Sequence, residues 1–116
     1  AQPPAPTMVA MLESPDNPAR LVVSFDPETR SFLVTPAVLT GAAGHQHELW
    51  LIPPAGNPRS LGLVGVDGAQ RIVIPVELLR DLSDDASIAL SVEPVGGSPT
   101  GLPTGPVIAS GKLSTI

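Results

Sequence analysis

The chain has no cysteine. That removes disulfides, thiolate nucleophiles and cysteine-based zinc sites together. It leaves the compartment open, because an oxidising space permits disulfides without requiring them. Aromatic residues are almost absent too: Phe25, Phe32 and Trp50 are the whole complement. A core must therefore be assembled from Val, Leu, Ile and Ala, and a carbohydrate-binding cleft has few rings to draw on. Basic residues are scarce and scattered: Arg20, Arg30, Arg59, Arg71, Arg80 and Lys112 stand against eleven acidic residues, for a formal charge of -5. Without a basic patch, the electrostatic footprint of a nucleic-acid binder is missing. A bare anionic membrane surface would repel this net charge. No run of roughly 18 apolar residues is present to cross a bilayer as a helix.

What is abundant is proline. Fifteen prolines argue against long helices. They fall mainly between short apolar runs, where they cap and separate strands. The 116 residues suit one domain, which at this size buries roughly 65% of its unfolded surface. "AQPPAPT" at 1–7 reads as a flexible Pro-rich linker, and 8–116 as a single domain.

The apolar runs set out the strands. "MVAML" at 8–12 is followed by a turn at "SPDNP". "ARLVVSF" at 19–25 and "SFLVTP" at 31–36 flank "DPETR" as a hairpin. "AVLTGAAG" is ambiguous between loop and a short helical turn. "QHELWLI" at 46–52 stops at Pro53-Pro54. "SLGLVGV" at 60–66 and "QRIVIPV" at 70–76 read as a second hairpin, with Asp67-Gly68 suited to its tight turn. "VELLRDLS" at 76–83 is the one helical piece, too short to stand alone. "ASIALSVEP" at 86–94 and "PVIASGKLS" at 106–114 flank a long Gly/Pro loop. About eight short, mainly antiparallel strands and one helical turn favour an all-β sandwich or open barrel.

Candidates for chemistry gather in "HQHELW". On a strand, His45, His47, Leu49 and Leu51 share one face, and Gln46, Glu48, Trp50 and Ile52 the other. Two histidines on one face can begin a zinc or copper site, but a further ligand is needed and no spacing supplies it. Glu48 and Glu93, near the ends of two strands, raise an acid/base pair of the glycosidase kind. The alternative is that each accepts hydrogen bonds and orients a loop such as "VGGSPTGLPTGP". No nucleophile elbow, Ser-x-x-Lys pair or phosphate loop occurs. No cofactor is expected.

Two segments together carry a resemblance. "HELWLIPPAGNPRSLGLV" from His47 and "LSVEPVGGSPTGLPTGPVIASGKL" from Leu90 resemble the C-terminal domain of the anti-sigma-K factor family, membrane-anchored anti-sigma factors of bacteria. The matching positions are Glu48, Leu49, Trp50, Leu51, Ile52 and Pro53; Ser60 and Gly62; Glu93, Pro94, Gly96, Gly97 and Ser98; Pro103, Thr104, Gly105 and Pro106; Ser110 and Gly111. The likeness runs over most of 8–113 and leaves 1–7 unmatched. It implies a non-enzymatic regulatory domain outside the cytoplasmic membrane. A cytoplasmic domain elsewhere in the protein would hold an extracytoplasmic-function sigma factor, and regulated proteolysis would release it. A membrane protease or an extracytoplasmic regulator is the implied partner, and no metal or catalytic residue is part of the likeness. A metal-binding β-domain using His45 and His47, or a protein- or glycan-interaction module, are the competing readings.

Overall fold

The computed structural model describes residues 7–41 and 43–116. The linker expected at 1–7 lies outside the described residues except for Thr7. The chain folds as β1 (Met8–Ser14), β2 (Asn17–Asp26), β3 (Ser31–Val38), β4 (His45–Ile52), β5 (Arg59–Val64), β6 (Gln70–Val73), a 3-10 helix (Val76–Asp81), β7 (Ser87–Pro94), β8 (Val107–Lys112) and β9 (Ser114–Thr115). The expected all-β architecture is what forms. One sheet runs β9-β1-β2-β3-β6 and the other β5-β4-β7-β8, antiparallel throughout. "AVLTGAAG" extends β3 to Val38 and continues as loop at its described positions.

The sheets join at one seam, where Glu13 of β1 pairs with Ser110 of β8. Here the backbones approach so closely that a Cβ on Gly111 would lie 2.1 Å from the Met11 carbonyl oxygen. Only glycine fits such an approach. Leu113 is buried between β8 and β9 and donates its N–H to the Ala86 carbonyl at 2.9 Å. The single closing strand expected at 106–114 is thereby split in two, its second part pairing with Met8 and Val9.

The second expected hairpin does not form. β6 pairs with β3, not with β5, in the register Ser31↔Val73 to Val34↔Gln70. The segment after β5 therefore crosses from one sheet to the other. Three hydrogen bonds help to hold it there. Arg71 donates to Ser31 Oγ at 2.8 Å and to Thr29 Oγ1 at 3.2 Å, and the Ile74 N–H reaches the Arg30 carbonyl at 2.9 Å. The crossing carries Ile74 and Leu78, both buried, into the space between the sheets. Asp67-Gly68 is a signal for a local turn, and burial of these two side chains outweighs it.

The core follows the strand alternation. Met8, Ala10 and Leu12 of β1, Leu21, Val23 and Phe25 of β2, Phe32 and Val34 of β3, Leu49 and Leu51 of β4, and Ile88 and Leu90 of β7 point between the sheets. Phe25 and Phe32 pack edge to face with ring centroids 5.6 Å apart, a favoured aromatic geometry. The two sheets differ on their outer faces. β2 alternates buried and accessible residues, whereas His47–Leu51 of β4 are all buried. Something must cover the outer face of the second sheet.

Gly111→Ala should lower the unfolding free energy by roughly 2–4 kcal/mol, because the added methyl forces β8 away from β1. Urea denaturation of the two proteins measures this. A change within about 0.5 kcal/mol would mean that the seam gives way without cost.

Candidate functional site

The outer face of the second sheet is lined by Gln46, Glu48 and Trp50 of β4 and by Ala89, Ser91 and Glu93 of β7, paired across the strands as Gln46↔Glu93, Glu48↔Ser91 and Trp50↔Ala89. Trp50, Ser91 and Glu93 are completely buried. The segment from Val95 to Pro106 returns across this face and is tied to it by side-chain acceptors.

Glu93 holds one end of that segment. It accepts hydrogen bonds from Thr104 Oγ1 at 2.5 Å, from the Thr104 N–H at 3.2 Å, from the Gly105 N–H at 3.3 Å and from Ser91 Oγ at 2.6 Å. The same Ser91 oxygen receives the Trp50 indole N–H at 2.8 Å. A line of donors thus runs from Trp50 through Ser91 to Glu93. Among the described residues no cation pairs with the carboxylate, and its hydrogen bonds all come from neutral donors. Burial by itself would push the carboxyl up, but the donors from Ser91, Thr104 and Gly105 outweigh it and hold the group below the usual glutamate value.

Glu48 holds the other end. It receives Ser60 Oγ of β5 at 2.5 Å and the Ser98 N–H at 2.7 Å. Gln46 accepts the Gly96 N–H at 2.5 Å, and the Pro94 carbonyl accepts the Gly97 N–H at 2.9 Å. Gly96, third in that four-residue turn, has φ +94°, the position where a type II turn calls for glycine. Gly97 lies against Glu48, where a Cβ would come within 3.1 Å of the carboxylate. Gly105 passes so close to β7 that a Cβ would lie 1.7 Å from the Val92 carbonyl oxygen. Beyond it, the Pro106 carbonyl accepts the Val92 N–H at 3.0 Å.

The Ser-x-Gly spacing at 60–62 has a matching cause. β5 bulges where Leu49 pairs with Gly62 and Trp50 with Ser60. Gly62 takes φ +120° there. The extra residue, Leu61, turns into the core, and Ser60 is left facing Glu48. Residues singled out in two distant segments therefore meet in one polar clamp. Leu49 enters the core behind it, while Pro53 follows the end of β4, Pro94 ends β7, and Pro103 lies partly buried within the loop. Gly111 belongs to the seam instead.

The clamp is structural chemistry. Glu48 and Glu93 each have their own donors: Glu93 takes Ser91 of β7 and Thr104 and Gly105 of the loop, and Glu48 takes Ser60 of β5 and Ser98 of the loop. His45 is exposed, with Nδ1 3.0 Å from the Ala43 carbonyl oxygen, and His47 is buried two residues further along β4. Among the described residues, no three His, Cys, Asp or Glu side chains gather to hold a metal. On the sequence alone Ser91 is not singled out, and Gln46 is only placed by strand parity on the face of Glu48 and Trp50. Ser91 did leave a signal, as the polar residue inside "IALSVEP" on the same face as Glu93. Gln46 left none, because its partner lies fifty residues away.

Compared with known protein families, residues 1–107 match the family described as anti-sigma-K factor rskA, C-terminal. The match takes in the Pro-rich segment 1–7, which the resemblance of the two motif segments leaves unmatched. It stops before Ser110 and Gly111. No curated protein and no solved structure matches the chain.

Glu93→Gln should cost roughly 2–3 kcal/mol at neutral pH, since several hydrogen bonds to a buried charge are weakened together. The folded carboxyl titrates below the unfolded one, whose pKa is about 4.3. Its contribution is therefore complete above that value and is lost as pH falls through it towards the folded pKa. The stability difference between native protein and variant should be flat from neutral pH to about pH 5 and narrow below about pH 4. A difference that does not change with pH would remove the charge from the explanation.

Proposed function

The chain belongs to the anti-sigma-K factor rskA C-terminal family, and from that premise we propose that it is the extracytoplasmic regulatory module of a single-pass transmembrane anti-sigma factor, acting as a folded shield over a cleavage site close to the membrane. The sigma factor binds a cytoplasmic domain outside these residues. The partner of this module is a membrane protease or an extracytoplasmic regulator. The described residues contain no helix long and apolar enough to cross a membrane.

One observation carries the reading. The first described residues are paired along both edges: β2 lies on one side of β1, and β9 on the other, with Met8↔Thr115 and Val9↔Ser114. The Ile116 N–H reaches the Thr7 carbonyl at 3.0 Å. Thr115 is pinned in turn, its N–H and hydroxyl donating to Asp84 Oδ1 at 2.9 and 2.7 Å. Partners that recognise an extended peptide add it as a strand and use its backbone groups. A segment already paired on both sides offers none. Cleavage near Thr7 would require β9 to peel away, so a signal that loosens the C-terminal strand would expose the N-terminal side of the domain.

The test uses the full-length membrane protein with residues 8–116 deleted, and separately with 114–116 deleted. Both deletions should raise site-one cleavage and the output of a sigma-dependent reporter, the larger deletion more. If removal of 8–116 leaves the protein uncleaved and the reporter silent, the shield reading fails, and the domain serves to receive the signal or recruit the protease.

A further inference from the structure

The space between the sheets is filled unevenly. Phe25 and Phe32 pack at one end, and Trp50 lies on the outer face of the second sheet. With the large rings spent elsewhere, the opposite end is left to Ala19, Val38, Leu39, Val92 and Ile108, together with His47. A cleft of about 240 Å³ remains there, at the start of β2 and β4 and the end of β3 and β7.

His47 is the cleft's one ionisable residue. It is only 4% exposed, and its ring makes no hydrogen bond to any described residue. Every sealed-in side-chain nitrogen or oxygen among the described residues does have a partner, so the ring nitrogens of His47 open onto space. The residue lines the cleft on one side and a shallower hollow by Val64, Gly65 and Asp67 on the other. Asn17, also at the cleft, already receives the Ala19 N–H at 2.9 Å through its side-chain oxygen.

We infer that this cleft is a binding site for a small, uncharged aliphatic molecule with one hydrogen-bonding head group, received by the His47 imidazole. Three features define the class. The lining is largely apolar, which selects an aliphatic body. No carboxylate, lysine or arginine lines the cleft, so a charged head would be desolvated without a counter-ion. The volume admits roughly eight non-hydrogen atoms, taking about 30 Å³ for a water-sized group. Burial holds the imidazole below its ordinary value, which leaves it neutral near pH 7 with one donor and one acceptor nitrogen. The site is independent of the regulatory reading and belongs to the chain on its own.

The test is a titration of the whole 116-residue chain with 1-hexanol, followed by amide and imidazole NMR, beside a titration with hexanoate at the same pH. Hexanol should give saturable shifts confined to His47, Ala19, Leu39, Val92 and Ile108, and should bind more tightly than hexanoate. His47→Leu should weaken hexanol roughly three- to tenfold through loss of one hydrogen bond. Ala19→Leu, which grows a side chain into the cleft, should abolish the saturable shifts. Shifts that stay linear up to the alcohol's solubility limit would show a cleft that holds only water and would overturn the proposal. So would equal binding of alcohol and carboxylate, or saturable binding that His47→Leu leaves unchanged.

Discussion

A buried carboxylate without a cation is the constraint on which much of this structure turns. Glu93 has no access to solvent, and its charge is tolerable only because Ser91, Thr104 and Gly105 donate to it from three sides. Those donors have to be brought together. Ser91 stands two residues away on the same strand face, but Thr104 and Gly105 arrive only if the chain after β7 doubles back. The cost of leaving such a group unpaired therefore dictates the path of the Val95–Pro106 segment. That path in turn closes the outer face of the second sheet, which is why β4 is buried on both sides while β2 alternates.

The glycines follow from the same requirement. A segment that must lie directly on a sheet needs its backbone close to the strand beneath, and a Cβ at position 105 or 97 would collide with Val92 or crowd Glu48. Gly96 provides the turn out of β7. Proline completes the arrangement by limiting the conformations available to a long loop before folding, which lowers the entropic cost of ordering it. A Gly- and Pro-rich composition, so often a sign of a mobile linker, here marks a segment tied down at Gln46, Glu48 and Glu93.

The clamp, the paired first strand and the open cleft occupy different parts of one sandwich. The chain's membership of the anti-sigma-K factor rskA C-terminal family is consistent with a regulatory role. Within that frame, β9 links the two ends of the described chain through two residue pairs and the contact to Asp84. It is short and both its residues are exposed, so it belongs to the class of elements that open at low free-energy cost. β8 of the second sheet runs on through Leu113 into β9, and its Gly111 forms the seam. A change of packing between the sheets thus has a direct route to the strand that pairs with Met8 and Val9.

Strand alternation, Pro/Gly punctuation and the shortage of aromatics determined, by themselves, that this chain is an all-β fold, a sandwich or an open barrel, with a Val/Leu/Ile core, because period-two burial and turn chemistry are local properties. Trp50 and Glu48 were placed on one strand face by parity alone, and Glu93 was legible as a loop-anchoring acceptor beside the reading as a catalytic acid. What parity could not decide is which strand lies beside which. Asp67-Gly68 promised a local hairpin, yet β6 crosses to β3 because Ile74 and Leu78 gain burial there and Arg71 finds Thr29 and Ser31. Gln46 gained its meaning from Gly96, Gly105 from the Val92 carbonyl, and His47 from the cleft that it lines with Ala19, Leu39, Val92 and Ile108. Such features depend on distances between residues remote in sequence, and those distances exist only once the two sheets have closed on each other.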